Sequence, residues 1–259
     1  MNQFDASKRR SAHRMLALAG GAVLAGCDRL NDTIWFPKLL ATSEVLSRSV
    51  HQLVGGRRSM AQEFTEADLS PDFRGNGSTN VADTNYQAMA RSGFSDWSLR
   101  IDGLVEQPLT LSLAQLRAMP ARTQITRHDC VEGWSAIGKW TGTPLAAVLE
   151  KAKPSAAARF AVFHCADLYS SGNGKTVPYY ESIDMDDAYH AQTILAYGLN
   201  DRALPVKNGA PLRLRVERQL GYKHAKYASR IELVASFEKI EGGSGGYWED
   251  RGYQWYAGI

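Results

Sequence analysis

Arg127-His128-Asp129-Cys130-Val131-Glu132-Gly133-Trp134 sets one cysteine in a polar, charged turn. Thr123, Ile125 and Arg127 form a strand-like run into it, and a Gly/Trp-rich stretch follows. A structural cysteine usually has aliphatic neighbours. Arg, His, Asp and Glu are the surroundings of a thiolate that binds a metal or attacks a substrate. Residues i and i+2 of a strand share a face, so His128 is placed to act as base for a nucleophilic Cys130. No G-x-S-x-G elbow or cysteine-protease flank accompanies the pair. Cys130 therefore has three readings: metal ligand, nucleophile or buried structural thiol.

Downstream, charge is unevenly spread. From Lys207 to Arg230 there are seven basic residues (Lys207, Arg213, Arg215, Arg218, Lys223, Lys226, Arg230) and one acid, Glu217, on a chain whose net charge is only +3. A solvated face mixes signs. A concentrated cationic segment with the turn Gly221-Tyr222-Lys223-His224-Ala225-Lys226 suits a terminal phosphate. Arg215 and Arg218 are expected to solvate a strand edge. No polybasic stripe with interleaved aromatics points to nucleic acid. With 44% hydrophobic and 22% charged residues, the 259-residue chain can bury a sizeable core.

The Cys130 segment, Asn208-Gly209-Ala210-Pro211-Leu212-Arg213 and Gly221 to Lys226 occur in an order and spacing that resembles the molybdopterin-binding domain of the sulfite oxidase family. Within it, the chain is similar to the bacterial periplasmic methionine-sulfoxide reductase branch, over roughly Trp97 to Val234. The resemblance implies a molybdenum–molybdopterin oxidoreductase that transfers an oxygen atom to or from a small-molecule substrate. The pterin dithiolene supplies two sulfurs and Cys130 the one protein thiolate. It also implies pterin contacts from Asn208 and Arg213. His224, Ala225 and Lys226 would cradle the phosphate through backbone N–H groups and the Lys226 ammonium. Asn85 and Tyr86 fall where the branch has a pterin-binding Asn/Tyr pair. Cys165 falls where it has a pterin-binding threonine, and a thiol is the weaker hydrogen bonder. Arg127 and His128 flank the thiolate, placed to bind an oxo or anionic substrate. No haem-attachment C-x-x-C-H, iron–sulfur cysteine set or flavin fingerprint is present. Electrons would therefore pass through a partner, which the resemblance makes a membrane cytochrome b serving a monomeric catalytic subunit. The rival classes are a non-catalytic exported ligand-binding domain and a cysteine hydrolase using Cys130 and His128.

Residues 1–27 read as a signal peptide. Lys8, Arg9 and Arg10 precede a short apolar run, Met15 to Ala25, too short to span a bilayer. Arg9-Arg10 is compatible with twin-arginine export, although Ser11-Ala12-His13 lacks the usual apolar pair. Leu24-Ala25-Gly26-Cys27 has the form of a lipobox, which would tether a periplasmic protein to the inner membrane through a lipidated Cys27. Residues 28–96 read as a linker, with a helical face over Leu39, Leu40, Val45, Leu46, Val50 and Leu53. Residues 97–240 read as the catalytic domain, and 241–259 as a Gly-rich hinge with an aromatic tail expected to pack back on that domain. Alternation at Trp97, Leu99 and Ile101, at Leu109 and Leu111, and at Leu212, Leu214 and Val216 predicts short strands. A short helix over 113–118 and another from Pro144 to Lys151 are predicted. Strands are also predicted at 160–163 and 227–234. With no regular βαβ alternation, the fold class is α+β, with the mixed sheets of the sulfite-oxidase-type molybdopterin-binding fold. In an oxidising compartment Cys130 and Cys165 could also pair as a disulfide.

Overall fold

A computed structural model describes residues 46, 49, 50, 56, 59–170 and 175–259. Two units are distinguished, Met1–Val54 and Gly55–Ile259. In the first, Leu46, Ser49 and Val50 are helical, with Leu46 and Val50 exposed. The signal peptide, the lipobox and the remainder of the expected helical face lie outside the described residues. Among the described residues, no helix is long and apolar enough to cross a membrane.

The second unit is built on two five-stranded sheets. In chain order its strands are β1 (Ser98–Gly103), β2 (Leu109–Ser112), β3 (Arg122–Cys130), β4 (Trp134–Pro144), β5 (Phe160–Ser170), β6 (Thr176–Asp184), β7 (Ile194–Leu199), β8 (Arg202–Ala203), β9 (Arg213–Arg215) and β10 (Ala228–Val234). One sheet runs β2-β1-β10-β5-β6; the other runs β3-β4-β7-β8, with β9 on β7. The β1–β10 pair is parallel and the other pairs are antiparallel, so the first sheet is mixed. Helices α1 (Thr84–Arg91), α2 (Leu113–Ala118), α3 (Leu145–Ala152) and α4 (Met185–Ala188) are short.

Local chemistry explains most of these boundaries. Leu99 and Ile101 are fully buried while Ser98 and Arg100 face water, the period-2 pattern of a half-buried strand. Ser112 and Gln115 form a reciprocal capping box that starts α2, which ends before Pro120. The Asp83 side chain accepts from the Tyr86 N–H and starts α1.

Four expectations need correction. The expected linker 28–96 is part of the packed unit from residue 59 onward. Phe64 N–H donates to the Ile125 carbonyl at 2.9 Å, and Phe73 packs edge-on against Trp140 at 4.9 Å. The Gly/Trp-rich stretch after Cys130 is an eleven-residue strand, β4, whose small residues obscure its alternation. The buried face of β3 is polar, formed by Gln124, Thr126 and His128. Finally, Leu212 to Val216 do not alternate inward and outward: Arg213 and Arg215 are 0% exposed, as are their leucine neighbours. Arg215 does not solvate an edge; it forms a buried ion pair with Glu217. Arg218 is mostly covered and pairs with Asp187 at 2.5 Å.

Candidate active site

Cys130 ends β3 and opens a tight turn to β4, closed by Gly133 N–H donating to the Cys130 carbonyl at 3.0 Å. Outward-facing groups pin this hairpin. Asp129 accepts from Ser135 Oγ at 2.5 Å and pairs with Arg127 at 2.9 Å. Arg127 is about half exposed, on the opposite face of β3 from buried His128. The two expected neighbours of the thiol thus lie on opposite faces of the strand.

Cys130 is partly exposed and Cys165 buried, and both are free thiols, so no disulfide joins them. Burial, the largest influence, pushes the Cys130 thiol up, so its charged sequence neighbours do not by themselves make it a thiolate. The His128 ring stands between Trp134, His224 and Phe73. Its Nδ1 accepts from Arg215 Nη1 at 2.9 Å, because a guanidinium can only donate. The imidazole proton therefore sits on Nε2, which has no partner among the described residues. Burial, then Arg215, hold His128 well below the usual histidine range. A general base for Cys130 needs a free ring acceptor, and this ring has already used its own. Gly221 explains the close packing here: a Cβ at that position would lie 2.5 Å from His128 Nε2.

The cationic segment separates into compensated and uncompensated groups. Lys207 pairs with Asp72, Arg215 with Glu217, Arg218 with Asp187, Lys223 with Glu181 and Glu249, and Arg230 with Asp102 and Glu232. Only Arg213 and Lys226 have no carboxylate partner among the described residues. Arg213 donates to the Asn208 and His224 carbonyls at 3.0 and 3.3 Å, and its Nε has no partner. Lys226 Nζ donates to the carbonyls of Asn76 (2.6 Å), Ser78 and Lys207 (3.3 Å). Carbonyl dipoles and the rings of Trp140 and Tyr227, at 5.1 Å each, are their near partners; buried cations without a direct carboxylate contact are costly, and an anionic ligand would offset that cost. Burial, then Arg215, draw Arg213 down to about 9, so it stays charged at neutral pH.

Lys226 gives a testable pH dependence. Burial, then Arg213, lower it from the ordinary 10.5 to about 7. Its folded value lies below its unfolded one, so the unfolded chain binds the proton more tightly. The resulting penalty is complete below about pH 7 and fades as pH rises toward about 10.5. The thermal midpoint of cofactor-free protein is expected to gain from that rise in wild type and to lose this gain in Lys226→Met. Equal slopes in the two proteins would refute the buried-cation account.

Cys130, His224 and Lys226 line a single cavity of about 130 Å³. Exposure orders it from mouth to floor. Val131, Glu132 and Tyr253 are exposed at the mouth, whereas Asp167, His224 and Lys226 are buried at the floor. The aromatic rings of Tyr169, Tyr179, Tyr222 and Trp248 form much of the wall. Several buried acceptors have no partner: Asp167 Oδ1, Asn76 Oδ1 and His224 Nδ1. The His224 tautomer follows from its Nε2, 3.0 Å from the Gln219 carbonyl. Among the described residues, no three His, Cys, Asp or Glu side chains gather as a metal cage. Cys130 could therefore ligate a metal only beside donors that a cofactor brings.

The other expected residues do not line this cavity. Asn208 and Arg213 are buried, and Asn208 Oδ1 is unpartnered. Cys165 is buried on β5, two residues from Asp167. Asn85 is exposed on α1, and Tyr86 is buried with its hydroxyl donating to the Ala210 carbonyl at 2.6 Å. Neither lines the cavity. The expected backbone cradle is also altered: His224 N–H donates to the Gly221 carbonyl and Ala225 N–H to the Lys223 carbonyl. That leaves the Lys226 ammonium as the cationic element of the turn. Asp167, Asn76 and the aromatic wall escaped the sequence reading. The one available signal was the polar break His164-Cys165-Ala166-Asp167 in an apolar strand.

The family model "Oxidoreductase molybdopterin binding domain" matches residues 86–239. A relative from Azospira oryzae, provisionally named protein-methionine-sulfoxide reductase subunit YedZ1, is 33% identical over 97% of this chain and 88% of its own length. The protein-methionine-sulfoxide reductase catalytic subunit MsrP of Xanthomonas campestris pv. campestris is 34% identical over 87% of this chain and 70% of its own. Among solved structures, the sulfane dehydrogenase SoxCD from Paracoccus pantotrophus matches with a TM-score of 0.48 at 22% identity. That match covers 55% of this chain and 39% of that one.

Proposed function

The chain belongs to the molybdopterin-binding oxidoreductases of the sulfite oxidase family, so it is an oxidoreductase with molybdopterin as cofactor; from this premise we propose that it reduces methionine sulfoxide. The names of both relatives support that substrate. The observation that carries the assignment is the cavity with the Cys130 thiol near its mouth and at its floor a buried cation, Lys226, whose hydrogen bonds go to carbonyls and not to a carboxylate.

The residues present fit the cofactor. Lys226, with Arg213 behind it, would meet the terminal phosphate. The unpartnered acceptors Asp167 Oδ1, Asn76 Oδ1 and His224 Nδ1 suit the N–H groups of a pterin. Cys130 would supply the protein thiolate, and metal binding would deprotonate it despite its raised pKa. Asn85, Tyr86, Arg127 and Cys165 do not line the cavity. When bound, the cofactor supplies the two-electron, oxygen-atom-transfer chemistry.

The chain's own task is then to orient and to exclude water. The reaction takes a sulfoxide, two electrons and two protons to a thioether and water. The thioether product is neutral and apolar, matching the aromatic wall. His128, fixed by Arg215 and packed by Gly221, holds the β3 strand end and so the Cys130 thiol in place. The electrons would come from a membrane cytochrome b, and the protein would work as a monomeric catalytic subunit. We assign residues 97–240 as the catalytic domain, residues 1–27 as an export signal, and Cys27 as the lipid anchor holding a periplasmic enzyme at the inner membrane.

The test is elemental and kinetic. Full-length protein from a cofactor-competent host is expected to carry about one molybdenum per chain, release pterin on denaturation, and oxidise a reduced viologen dye only with methionine sulfoxide present. A molybdenum-loaded protein that leaves the sulfoxide untouched would refute the substrate.

A further inference from the structure

The family domain spans residues 86–239, yet the cavity is completed from outside it. Trp248 and Tyr253, from the C-terminal segment, line the same cavity as Cys130. Their rings lie 5.3 Å apart, and the Tyr253 ring meets Tyr222 edge-on at 5.3 Å. Tyr253 N–H donates to the Trp248 carbonyl at 3.1 Å, so one turn presents both rings.

That turn is rigidly backed. Each of the three residues after Trp248 is anchored. Glu249 is buried and accepts from Lys223 Nζ at 2.6 Å. Asp250 accepts from the Tyr180 hydroxyl and from the backbone of Gly242 and Ser244, at 2.5, 3.0 and 2.9 Å. The Arg251 guanidinium lies 3.6 Å from the Tyr247 ring centroid and donates to the Tyr247 carbonyl at 2.7 Å. The two rings flanking this anchor are therefore held in position before any ligand arrives. Tyr253 is 40% exposed, and with Val131, the residue after Cys130, it forms the mouth of the cavity. Ligand entering past the mouth meets aromatic faces and edges, which favour a polarisable sulfur and its apolar arm.

We propose that Trp248 and Tyr253 are specificity-determining residues that hold the apolar, sulfur-bearing arm of a peptidyl methyl sulfoxide at the cavity mouth. This rests on the sulfoxide-reductase reading above and assigns its substrate subsite to a segment beyond the family domain. The rings act on substrate affinity, so they move KM and leave kcat and cofactor loading alone.

The experiment is steady-state reduction of N-acetyl-methionine sulfoxide amide by full-length holoprotein. It is paired with calorimetric titration of that compound into the oxidised protein and with assay of released pterin. Trp248→Ala and Tyr253→Ala are each expected to raise KM about fivefold and to weaken binding equally, as loss of a sulfur–aromatic contact predicts. The kcat and pterin content should stay at wild-type levels, and Trp248→Phe and Tyr253→Phe should restore KM. Unchanged KM and affinity in both alanine variants, with active wild type, would overturn this inference alone. A fall in pterin content with lowered kcat would do the same, by assigning the rings to the cofactor. Loaded wild type that neither binds nor reduces the sulfoxide would overturn the functional reading and this inference together.

Discussion

Cys130→Ala is expected to lower kcat for sulfoxide reduction by at least about a hundredfold, more than disturbing a residue that merely supports a ligand. Lys226, Arg213 and the unpartnered acceptors lie elsewhere in the sequence, so the variant should keep its pterin while the spectrum of the oxidised metal changes. Cys130 sits at the end of a well-paired strand and is partly exposed, so its truncation leaves no large void in the core. Retained activity with an unchanged metal spectrum would remove the thiolate from its assigned role. The nucleophile reading predicts something else: inactivation by thiol-directed electrophiles in protein stripped of cofactor. The unavailable acceptor on His128 argues against it.

Lys223→Met is expected to be the most destabilising single change in the charged layer. Lys223, Glu181 and Glu249 are buried together, and Lys223 Nζ donates to both carboxylates. Burial, then Glu249, push Glu181 well above the usual carboxylate range, against the pull of Lys223. Burial and the neighbouring Glu249 thus favour the protonated form of Glu181, and Lys223 offsets the negative charge of the cluster. The two carboxylates hold Lys223 charged against the burial that would lower it. Removing the ammonium strands a buried carboxylate, at a cost of about 3–5 kcal/mol. In a unit of this size that corresponds to a thermal midpoint lower by roughly 10 °C. Glu181→Gln, which mimics the protonated acid, should cost only about 1 kcal/mol. Equal losses in the two variants would show that Glu181 is ionised. Because Glu249 anchors the turn carrying Trp248 and Tyr253, Lys223→Met should also raise KM through loss of the aromatic wall.

Much of the fold could be read from local pattern. Leu99 and Ile101, the α2 capping box and the start of α3 at Pro144 each carry their signal within a few residues. The sheet partners do not: β1 pairs with β10, about 130 positions away, and periodicity carries no information about such a pairing. β4 escaped because Gly138 and Gly142 interrupt its alternation. Glycine at 142 is required by close approach to β7, a contact visible only when both strands are in place.

The candidate site divides the same way. Sequence by itself determined the residue types: a thiol in a polar turn, a cationic segment with a single acid, and an aromatic C-terminal run. It could not say which cations are free, because the carboxylates that neutralise Lys207, Lys223 and Arg218 come from distant elements. Arg215 pairs with Glu217 two residues away, but only its burial between sheet layers turns it from a solvated edge residue into a core ion pair. Tertiary structure alone left Arg213 and Lys226 uncompensated, turned His128 away from service as a base, and brought Trp248 and Tyr253 to the mouth beside Cys130. The physical reason is that side-chain identity is local, whereas charge compensation and cavity shape depend on which distant groups the sheets bring within a few ångströms of one another.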